Sequence, residues 1–368
     1  MMTKTVPKFR LEYDAEFRER FGHECAEILR SDTLQEGPWV RRFERDFSSF
    51  IAAQHCTATS SGTTALEVAL RAVGVAGKEV VLPTNTFIAT AIAVERAGGI
   101  IRLVDIEPET YSADPDAIAD AINENTGAVV LVHIGGVISK YVERIIHLCR
   151  DCHVPLVEDA AHAHGATRGD VRSGTIGQVA AFSFFPTKVM TCGEGGMVTT
   201  NDLAVAAKVR SIKDFGRGKR DGLLSYMPGM NAKMTEFQGL LGVMELERSR
   251  VRRYDRALLA AKYIDCLLEV GLFASVEPGS HYKMIVQTRH PAPAVQSFCE
   301  ENGVSLSGGV YHVPLHQQPV YEGRWDQKLF PVSNHFSRHH VCLPLYPEMD
   351  VDDVKFVCDV LKRAEGEL

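Results

Sequence analysis

The chain has 368 residues, of which 45% are hydrophobic and 24% are charged, and its formal net charge is −7. This length and composition allow a large buried core and lead us to expect two domains. The negative charge gives no electrostatic reason to bind nucleic acid. The first residues contain no apolar run typical of a signal peptide or a membrane span, and the nine cysteines follow no disulfide framework. We therefore expect a cytoplasmic protein without a membrane partner.

Two amphipathic helices are predicted first, over residues 14–31 and 40–52, as an N-terminal arm that turns at Gly37 and Pro38. Helical and strand-like segments then alternate, which is typical of an α/β sheet. The predicted helices cover residues 63–75, 89–97, 115–123 and 140–151, and the predicted strands cover 79–83, 100–105, 128–133 and 154–158.

The pattern becomes strongly helical from about residue 235 to 268, and mixed segments follow up to a last helix at 351–364. We therefore predict an α/β fold with a large sheet domain over residues 1–247 and a smaller C-terminal α+β domain over residues 248–368. No linker rich in Pro, Gly or Ser marks this boundary, and one long helix can connect the two parts.

Lys188 follows the apolar run VAAFSFFPT and precedes a glycine-rich loop. Apolar surroundings would disfavour the charged form of its amine. A neutral amine in this place can form a Schiff base. Asp159 follows the apolar segment VPLVE, and open α/β sheets bind ligands at the carboxyl ends of their strands. An imine-forming lysine and an aspartate that holds a pyridinium proton are what a pyridoxal-phosphate enzyme needs most. Spacing alone leaves open a capping aspartate and a surface lysine.

Cys149 and Cys152 form a CxxC pair, a spacing found in redox and metal sites. No second pair accompanies them, and a helical pattern precedes them, so we interpret the pair as the end of a helix. Cys192 lies near Lys188 in the sequence, but a small buried side chain needs no chemical role. We predict no metal site.

Several motifs follow one another in an order known from one family. The central block consists of EDAAHAHGA, SGTIGQVAAFSFFPTK and GEGGMVTTND. Before it come LQEGPWVRRFERDFSSF, SSGTTALEVAL, VVLPTNTFIATAIAV and VDIEPETYSADP, and after it come PGMNAKMTEFQGLLGVMELER, VPLHQQPVY and LPLYPEM. Together they cover nearly the whole chain and resemble the DegT-like (DegT/DnrJ/StrS) sugar aminotransferases. This resemblance implies a fold-type I transferase, with a mostly parallel sheet between helices and pyridoxal 5'-phosphate (PLP) as cofactor.

The resemblance also implies which residues hold the cofactor phosphate. They are Gly62, Thr63 and Thr64, where a helix begins, together with Ser183. Small residues and hydroxyls at a helix start are chemically suited to a phosphate, although serine and threonine also cap ordinary helices. A polar residue satisfied within a strand is the alternative for Ser183.

The cofactor ring has its own candidate residues. By the same resemblance, Phe87 would stack on one face of the pyridine ring, and His162 would hydrogen-bond the ring hydroxyl where the family has glutamine or histidine. Asp159 would hold the ring nitrogen, and Lys188 would form the covalent bond. Core packing for Phe87 and a structural role for His162 are the alternatives.

Asn231 and Lys233 match a family segment that crosses a dimer interface, with the asparagine at the neighbour's phosphate site. The resemblance therefore implies a homodimer with shared active sites. The family usually has arginine where this chain has Lys233, and lysine cannot make the planar two-pronged contact of a guanidinium group. The role of Lys233 stays open, and Asn231 has helix capping as its alternative.

Five further residues are candidates for the substrate end of the site: His133, Tyr311, His312, His316 and Tyr321. Histidine and tyrosine can bind sugar hydroxyls, but the residues after position 310 can equally belong to an interface. The stretch VLVHIGGVISKY departs from the family, in which a Tyr-Gly pair soon follows the histidine.

The implied reaction moves an amino group from an amino acid, glutamate by family analogy, to a keto sugar, most often a nucleotide-linked keto-deoxysugar. Its setting would be the biosynthesis of amino sugars for natural products or for polysaccharides such as lipopolysaccharide. An unactivated keto sugar or a cyclitol is an alternative acceptor. A PLP-dependent sugar dehydratase of the same fold has histidine in place of the lysine, so Lys188 argues against it. A non-catalytic sensor would not need Lys188 and Asp159.

Overall fold

The computed structural model describes residues 4–218, 224–272, 274, 279–307 and 309–368. In chain order, the helices are α1 (Ala15–Arg30), α2 (Pro38–Ile51), α3 (Gly62–Val73), α4 (Ile88–Arg96), α5 (Pro115–Ala121), α6 (Val142–Asp151), α7 (Leu203–Lys213), α8 (Glu236–Glu269), α9 (Ala292–Glu301), α10 (Pro331–Arg338) and α11 (Val351–Glu367). The strands are β1 (His55–Thr59), β2 (Glu79–Pro83), β3 (Ile100–Val104), β4 (Thr126–Val132), β5 (Leu156–Asp159), β6 (Thr167–Arg168), β7 (Val171–Arg172), β8 (Val179–Ser183), β9 (Gly196–Thr200), β10 (Met284–Gln287) and β11 (His340–Leu343). Short 3-10 turns lie at Ile134–Gly136, Leu315–Gln317, Pro319–Tyr321 and Gln327–Leu329.

Within the described residues, seven strands form the main sheet in the order β1-β9-β8-β5-β4-β2-β3. Strands β8, β5, β4, β2 and β3 run parallel to one another, whereas β9 is antiparallel to both of its neighbours. Every residue of β4 is buried, because helices cover both faces of a mostly parallel sheet. The predicted α/β fold with a mostly parallel sheet is confirmed.

The strands send alternate side chains into two apolar layers. Val80 and Leu82 of β2 pack with helices α3, α4 and α7 on one face of the sheet. Val81, between them, belongs to the layer formed with α2, α5, α6 and the start of α8. Because strands β8, β5, β4, β2 and β3 are parallel, their carboxyl ends lie at the same end of the sheet.

The predicted helix and strand positions agree with the structure to within a few residues. Helix α3 ends where Gly74 adopts a left-handed conformation with φ of 82°, which a glycine adopts without steric cost. Strand β5 begins two residues later than predicted and includes Asp159 as its last residue. Strands β1, β8 and β9, the β6–β7 hairpin and helix α7 lie outside the predicted elements.

The long helix α8 runs unbroken through residue 247. Its end packs with α9, α11, β10 and β11 in a further apolar cluster, which also includes Val6 from the start of the chain. Tyr321 and Phe336, by contrast, pack into the layer of the main sheet. The division at residue 247 remains a prediction. None of the described helices is both long and apolar enough to cross a membrane.

Candidate active site

A cavity of about 360 Å³ lies at the carboxyl edge of the main sheet, where open α/β sheets bind ligands. It is enclosed by the ends of β4, β5 and β8, by the segment after β2 and by the start of α3. Of the residues predicted for the site, it is lined by Gly62, Thr63, Phe87, Asp159, His162, Ser183, Lys188 and Tyr311. These residues come from segments far apart in the sequence, so the fold brings them together.

Lys188 lies in the loop after β8, where its backbone N–H donates to the carbonyl of Phe185 at 2.9 Å. Its Nζ atom lies 4.9 Å from the ring centroid of Tyr282. Burial lowers the pKa of Lys188 to about 8; the charge of Lys283 acts in the same direction, whereas Asp159 opposes the change. Near this pH a large fraction of the amine is neutral and able to act as a nucleophile.

The carboxylate of Asp159 is oriented by hydrogen bonds from the protein. Thr90 Oγ1 donates to Oδ2 at 2.8 Å, and the backbone N–H of Ala161 donates to Oδ1 at 3.2 Å. Behind this contact, the hydroxyl oxygens of Thr86 and Thr90 lie 2.8 Å apart. Because both threonines are buried, these contacts limit rotation of the carboxylate at the cavity wall.

Helix α3 begins at the cavity, and Ser61 caps it. The Ser61 hydroxyl accepts from Thr64 N at 3.1 Å, and Thr64 Oγ1 in turn accepts from Ser61 N at 3.0 Å. Thr64 therefore uses its hydroxyl in the cap and does not line the cavity. A Cβ atom at Gly62 would lie only 2.5 Å from Ser183 Cβ, so the helix start and the end of β8 can approach closely only with glycine here.

Aromatic and imidazole rings form another wall of the cavity. Phe87 is 53% exposed, and its ring centroid lies 5.5 Å from that of Tyr311. The His162 ring packs against Tyr282 at a centroid distance of 4.4 Å. Tyr282 also exchanges a hydrogen bond with Thr187, whose Oγ1 lies 2.9 Å from its hydroxyl. The exposure of Phe87 argues against core packing for this residue.

Four of the five residues predicted for the substrate end do not line the cavity. His133 is completely buried, and its Nε2 lies 3.0 Å from Glu158 Oε2. His316 lies between two polar partners. Its Nδ1 is 2.6 Å from Thr84 Oγ1, and its Nε2 is 2.9 Å from Asn334 Oδ1.

The other two are also occupied by contacts within the protein. His312 Nε2 accepts from the backbone N–H of Gly309 and lies 3.1 Å from Gln296 Nε2, while Tyr321 donates to Glu95 Oε2 at 3.0 Å. Neither the sequence pattern around these four residues nor their residue types could predict these partners. Of this group, Tyr311 alone reaches the cavity in the described part of the chain.

Asn231 and Lys233 are not among the described residues that line the cavity of their own chain. The Asn231 side chain is exposed, and its backbone forms a bridge with Asp214. Lys233 Nζ lies 3.1 Å from Asp214 Oδ1 and 4.4 Å from the ring centroid of Phe215. Both residues therefore lie outside the set that this chain assembles around the cavity.

Several residues that matter for the geometry were not predicted. Thr86, Thr90, Thr187, Tyr282 and Glu194 also line the cavity. The four-residue spacing of Thr86 and Thr90 at a strand-to-helix junction could have indicated the pair. Glu158 accepts hydrogen bonds from the backbone N–H groups of Gly174, Ile176 and Gly177 at 2.7–2.9 Å, and no local signal in the sequence predicts these contacts.

The residues at the cavity fit PLP. A helix start with Thr63 and Ser183 beside it suits a phosphate group, and an exposed flat ring suits stacking. The Nδ1 atom of His162 is buried without a hydrogen-bond partner in the described structure. The Asp159 carboxylate can pair with the pyridine nitrogen, and the Lys188 amine, whose pKa is lowered, can form the Schiff base. Among the described residues, no group of three or more His, Cys, Asp or Glu side chains could hold a metal ion.

Comparison with known proteins agrees with this chemistry. The model of the DegT/DnrJ/EryC1/StrS aminotransferase family matches residues 15–362. The chain is 32% identical to the spore coat polysaccharide biosynthesis protein SpsC of Bacillus subtilis, over 93% of this chain and 94% of SpsC. It is 30% identical to UDP-2-acetamido-2-deoxy-3-oxo-D-glucuronate aminotransferase of Pseudomonas aeruginosa, over 94% of this chain and 96% of that protein.

Solved structures of aminotransferases also superpose on this chain. The structure of DesV from S. venezuelae, in complex with a ketimine intermediate, superposes with a TM-score of 0.92 and 29% identity over 99% of both chains. A putative sugar aminotransferase from Streptococcus pneumoniae, solved in its PLP form, superposes with a TM-score of 0.90 over 99% of both chains. At 22% identity, the second likeness shows the fold alone.

Proposed function

Because this chain belongs to the DegT/DnrJ/EryC1/StrS aminotransferase family and is a PLP-dependent sugar aminotransferase, we propose that it aminates a nucleotide-linked keto sugar, with glutamate as the amino donor. The observation that carries this proposal is that Lys188 and Asp159 face one cavity. The nucleotide is inferred from the similarity to the Pseudomonas aeruginosa enzyme, whose name specifies a UDP-linked 3-oxo sugar.

PLP, when bound, supplies a ring that accepts the electrons of a broken C–H bond. Asp159 would hold the proton at the ring nitrogen by charge pairing, and Thr90 keeps the carboxylate oriented. Lys188 Nζ moves the proton at the substrate carbon that carries the amino group, acting first as base and then as acid. Its lowered pKa suits this work, because a general base is most effective when its pKa is near the operating pH.

The remaining residues bind and orient. The α3 start with Gly62 and Thr63, together with Ser183, would hold the phosphate, while Phe87 would cover one ring face. His162 would contact the ring hydroxyl. Thr64 supports the phosphate site indirectly, because its hydroxyl caps the helix that carries Gly62 and Thr63. Asn231 would complete the phosphate site of a second copy of the chain.

The acceptor can be tested in a single half-reaction. Purified protein loaded with pyridoxamine phosphate is mixed with keto sugars with and without a nucleotide, and with keto cyclitols, while conversion of the cofactor to the aldehyde is followed by absorbance. We expect conversion with nucleotide-linked keto sugars. Conversion by free keto sugars or cyclitols alone would contradict the proposed acceptor, and failure with every keto compound would favour a sensor.

Lys188→Ala provides the matched control for this assay. We expect it to abolish transamination and to lose the absorbance band of the lysine-bound cofactor, because no other lysine is among the described residues that line the cavity. A Lys188→Ala protein that keeps both the band and the activity would disprove the assignment. Lys262→Ala, which changes a lysine whose side chain is 54% exposed, should leave both unchanged.

A further inference from the structure

Tyr311 and His162 meet through their polar atoms at the cavity wall. Tyr311 Oη lies 3.0 Å from His162 Nε2. The backbone carbonyl of His162 accepts from Ser280 Oγ at 2.5 Å, and the imidazole ring packs on Tyr282. These contacts fix the backbone, the ring plane and one nitrogen of His162.

The other imidazole nitrogen, Nδ1, is left without a partner. It is buried and makes no hydrogen bond within the described residues, although His162 lines the cavity. A buried polar atom without a partner is rare in folded proteins and calls for an explanation. A ligand in the cavity can supply the missing partner.

His162 carries a single proton under ordinary conditions. Burial lowers its pKa well below the usual value, and the positive charges of Lys188 and Lys283 and the neighbouring His164 and His133 act in the same direction. Burial raises the pKa of the Tyr311 phenol well above its usual value, and Tyr282 and Asp159 add to this effect. The contact therefore joins a neutral imidazole to a protonated phenol, and two arrangements of the protons are possible.

We propose that Tyr311 is a positioning residue whose hydroxyl donates to His162 Nε2 and so places the imidazole proton on Nδ1. Nδ1 then becomes a hydrogen-bond donor directed at the ligand. The identity of that ligand, the ring hydroxyl oxygen of PLP, rests on the proposed function. In the opposite arrangement, Nδ1 would present a lone pair to an oxygen that carries negative charge, and the two would repel each other.

This role separates Tyr311 from the sugar-binding function expected from the sequence. A phenol that donates to His162 no longer has its proton available for a substrate hydroxyl. It also explains how histidine can act where the family often has glutamine. The amide of glutamine always offers a donor, whereas imidazole offers one at Nδ1 only in one of its two neutral forms.

The tautomer can be measured directly. Holoenzyme labelled with 15N in its histidines is studied by NMR, and the His162 signals are assigned from their loss in His162→Gln. We expect a protonated Nδ1 and an unprotonated Nε2. A protonated Nε2 in the PLP-loaded wild-type protein overturns the proposal, and this measurement does not depend on the folding of any Tyr311 variant.

The consequence for the cofactor is tested with Tyr311→Phe. A hydrogen bond donated to the ring oxygen stabilises the negative charge on that oxygen. It therefore lowers the pKa of the proton that the oxygen shares with the lysine-bound nitrogen. We therefore expect the spectral pKa of the lysine-bound cofactor to rise by about one pH unit in Tyr311→Phe, as for the weakening of one charge-assisted hydrogen bond. An unchanged spectral pKa overturns the proposal.

His162→Gln provides the matched background. A glutamine amide has no tautomer for a partner to select, so adding Tyr311→Phe to His162→Gln should leave the spectral pKa unchanged. An equal rise in both backgrounds would show that Tyr311 acts on the cofactor without His162 and would overturn the inference. Failure of the wild-type protein to bind PLP would instead defeat the proposed function, while the NMR measurement would still report the tautomer of His162.

Discussion

The ordinary pKa of a lysine side chain is 10.5, and burial lowers the pKa of Lys188 to about 8. Between these two values the unfolded chain binds a proton that the folded apoprotein does not, so stability rises with pH in this window. Below pH 8 both states are protonated, and the buried charge destabilises the folded apoprotein in full. Above pH 10.5 the destabilisation is gone. The reactivity of the lysine is thus linked to a loss of stability in the protein without cofactor.

We therefore expect apo Lys188→Met to be more stable than the wild-type apoprotein by about 3 kcal/mol at pH 7. The difference should shrink as the pH rises from 8 to 10.5. Urea unfolding at several pH values measures it, with exposed Lys262→Met as the control. A stability difference that is independent of pH would show that packing, not charge, is responsible.

Thr90 orients the Asp159 carboxylate, and this role can be tested by a single substitution. Its hydroxyl donates to Asp159 Oδ2 at 2.8 Å, and valine has the same shape without the hydroxyl. We expect Thr90→Val to lower kcat by about tenfold, because one hydrogen bond to a charged group is lost, with little change in KM for the acceptor. Steady-state kinetics measure this, and Thr90→Ser should restore most of kcat. A Thr90→Val enzyme with wild-type kcat would show that Asp159 needs no support from Thr90.

At the scale of elements, the site depends on how closely α3 approaches β8. The packing leaves no room for a side chain at Gly62, where a Cβ atom would lie 2.5 Å from Ser183 Cβ. Such a contact forces either the helix or the strand to move. Because the helix start is also where the phosphate would bind, this movement should affect the cofactor first.

Gly62→Ala should therefore lower the free energy of unfolding by about 1–3 kcal/mol and weaken PLP binding. Gly22→Ala is the matched control: it lies in α1 with no atom near the added Cβ, and alanine favours a helix by about 0.5–1 kcal/mol over glycine. Denaturant unfolding and cofactor titration measure both effects. Equal behaviour of the two variants would contradict a close approach at Gly62.

At the scale of the whole molecule, the proposed homodimer predicts complementation between two inactive variants. Lys188→Ala removes the lysine of its own site, whereas Asn231→Ala removes the residue proposed for the partner's site. Asn231 is exposed and is not among the described residues that line the cavity of its own chain, as this arrangement requires.

Mixing the two variants after reversible dissociation should restore about a quarter of wild-type activity per subunit, because half of random dimers are mixed and each mixed dimer has one intact site. Each variant incubated alone is the control. Activity of Asn231→Ala alone at the wild-type level would show that the site is not shared through this residue, and sedimentation of the wild-type protein as a monomer would contradict the dimer itself.

The sequence by itself determined the order of the elements and the central chemistry. Apolar periodicity is a local property of the chain, so the alternating helices and strands between residues 63 and 158 could be predicted to within a few residues. Lys188 and Asp159 could be predicted for the same reason, because each ends or follows an apolar strand and the carboxyl ends of parallel strands lie at the same end of the sheet. Ser183 is implied only by the family resemblance.

The tertiary structure alone decided which side chains meet across the sheet. His133 is paired with Glu158, and His316 with Thr84, so neither reaches the cavity, whereas Tyr311 contacts His162 across 149 positions of the chain. The antiparallel course of β9 also depends on its neighbours. Such contacts follow from strand order and packing between distant segments, which no local pattern of residues encodes.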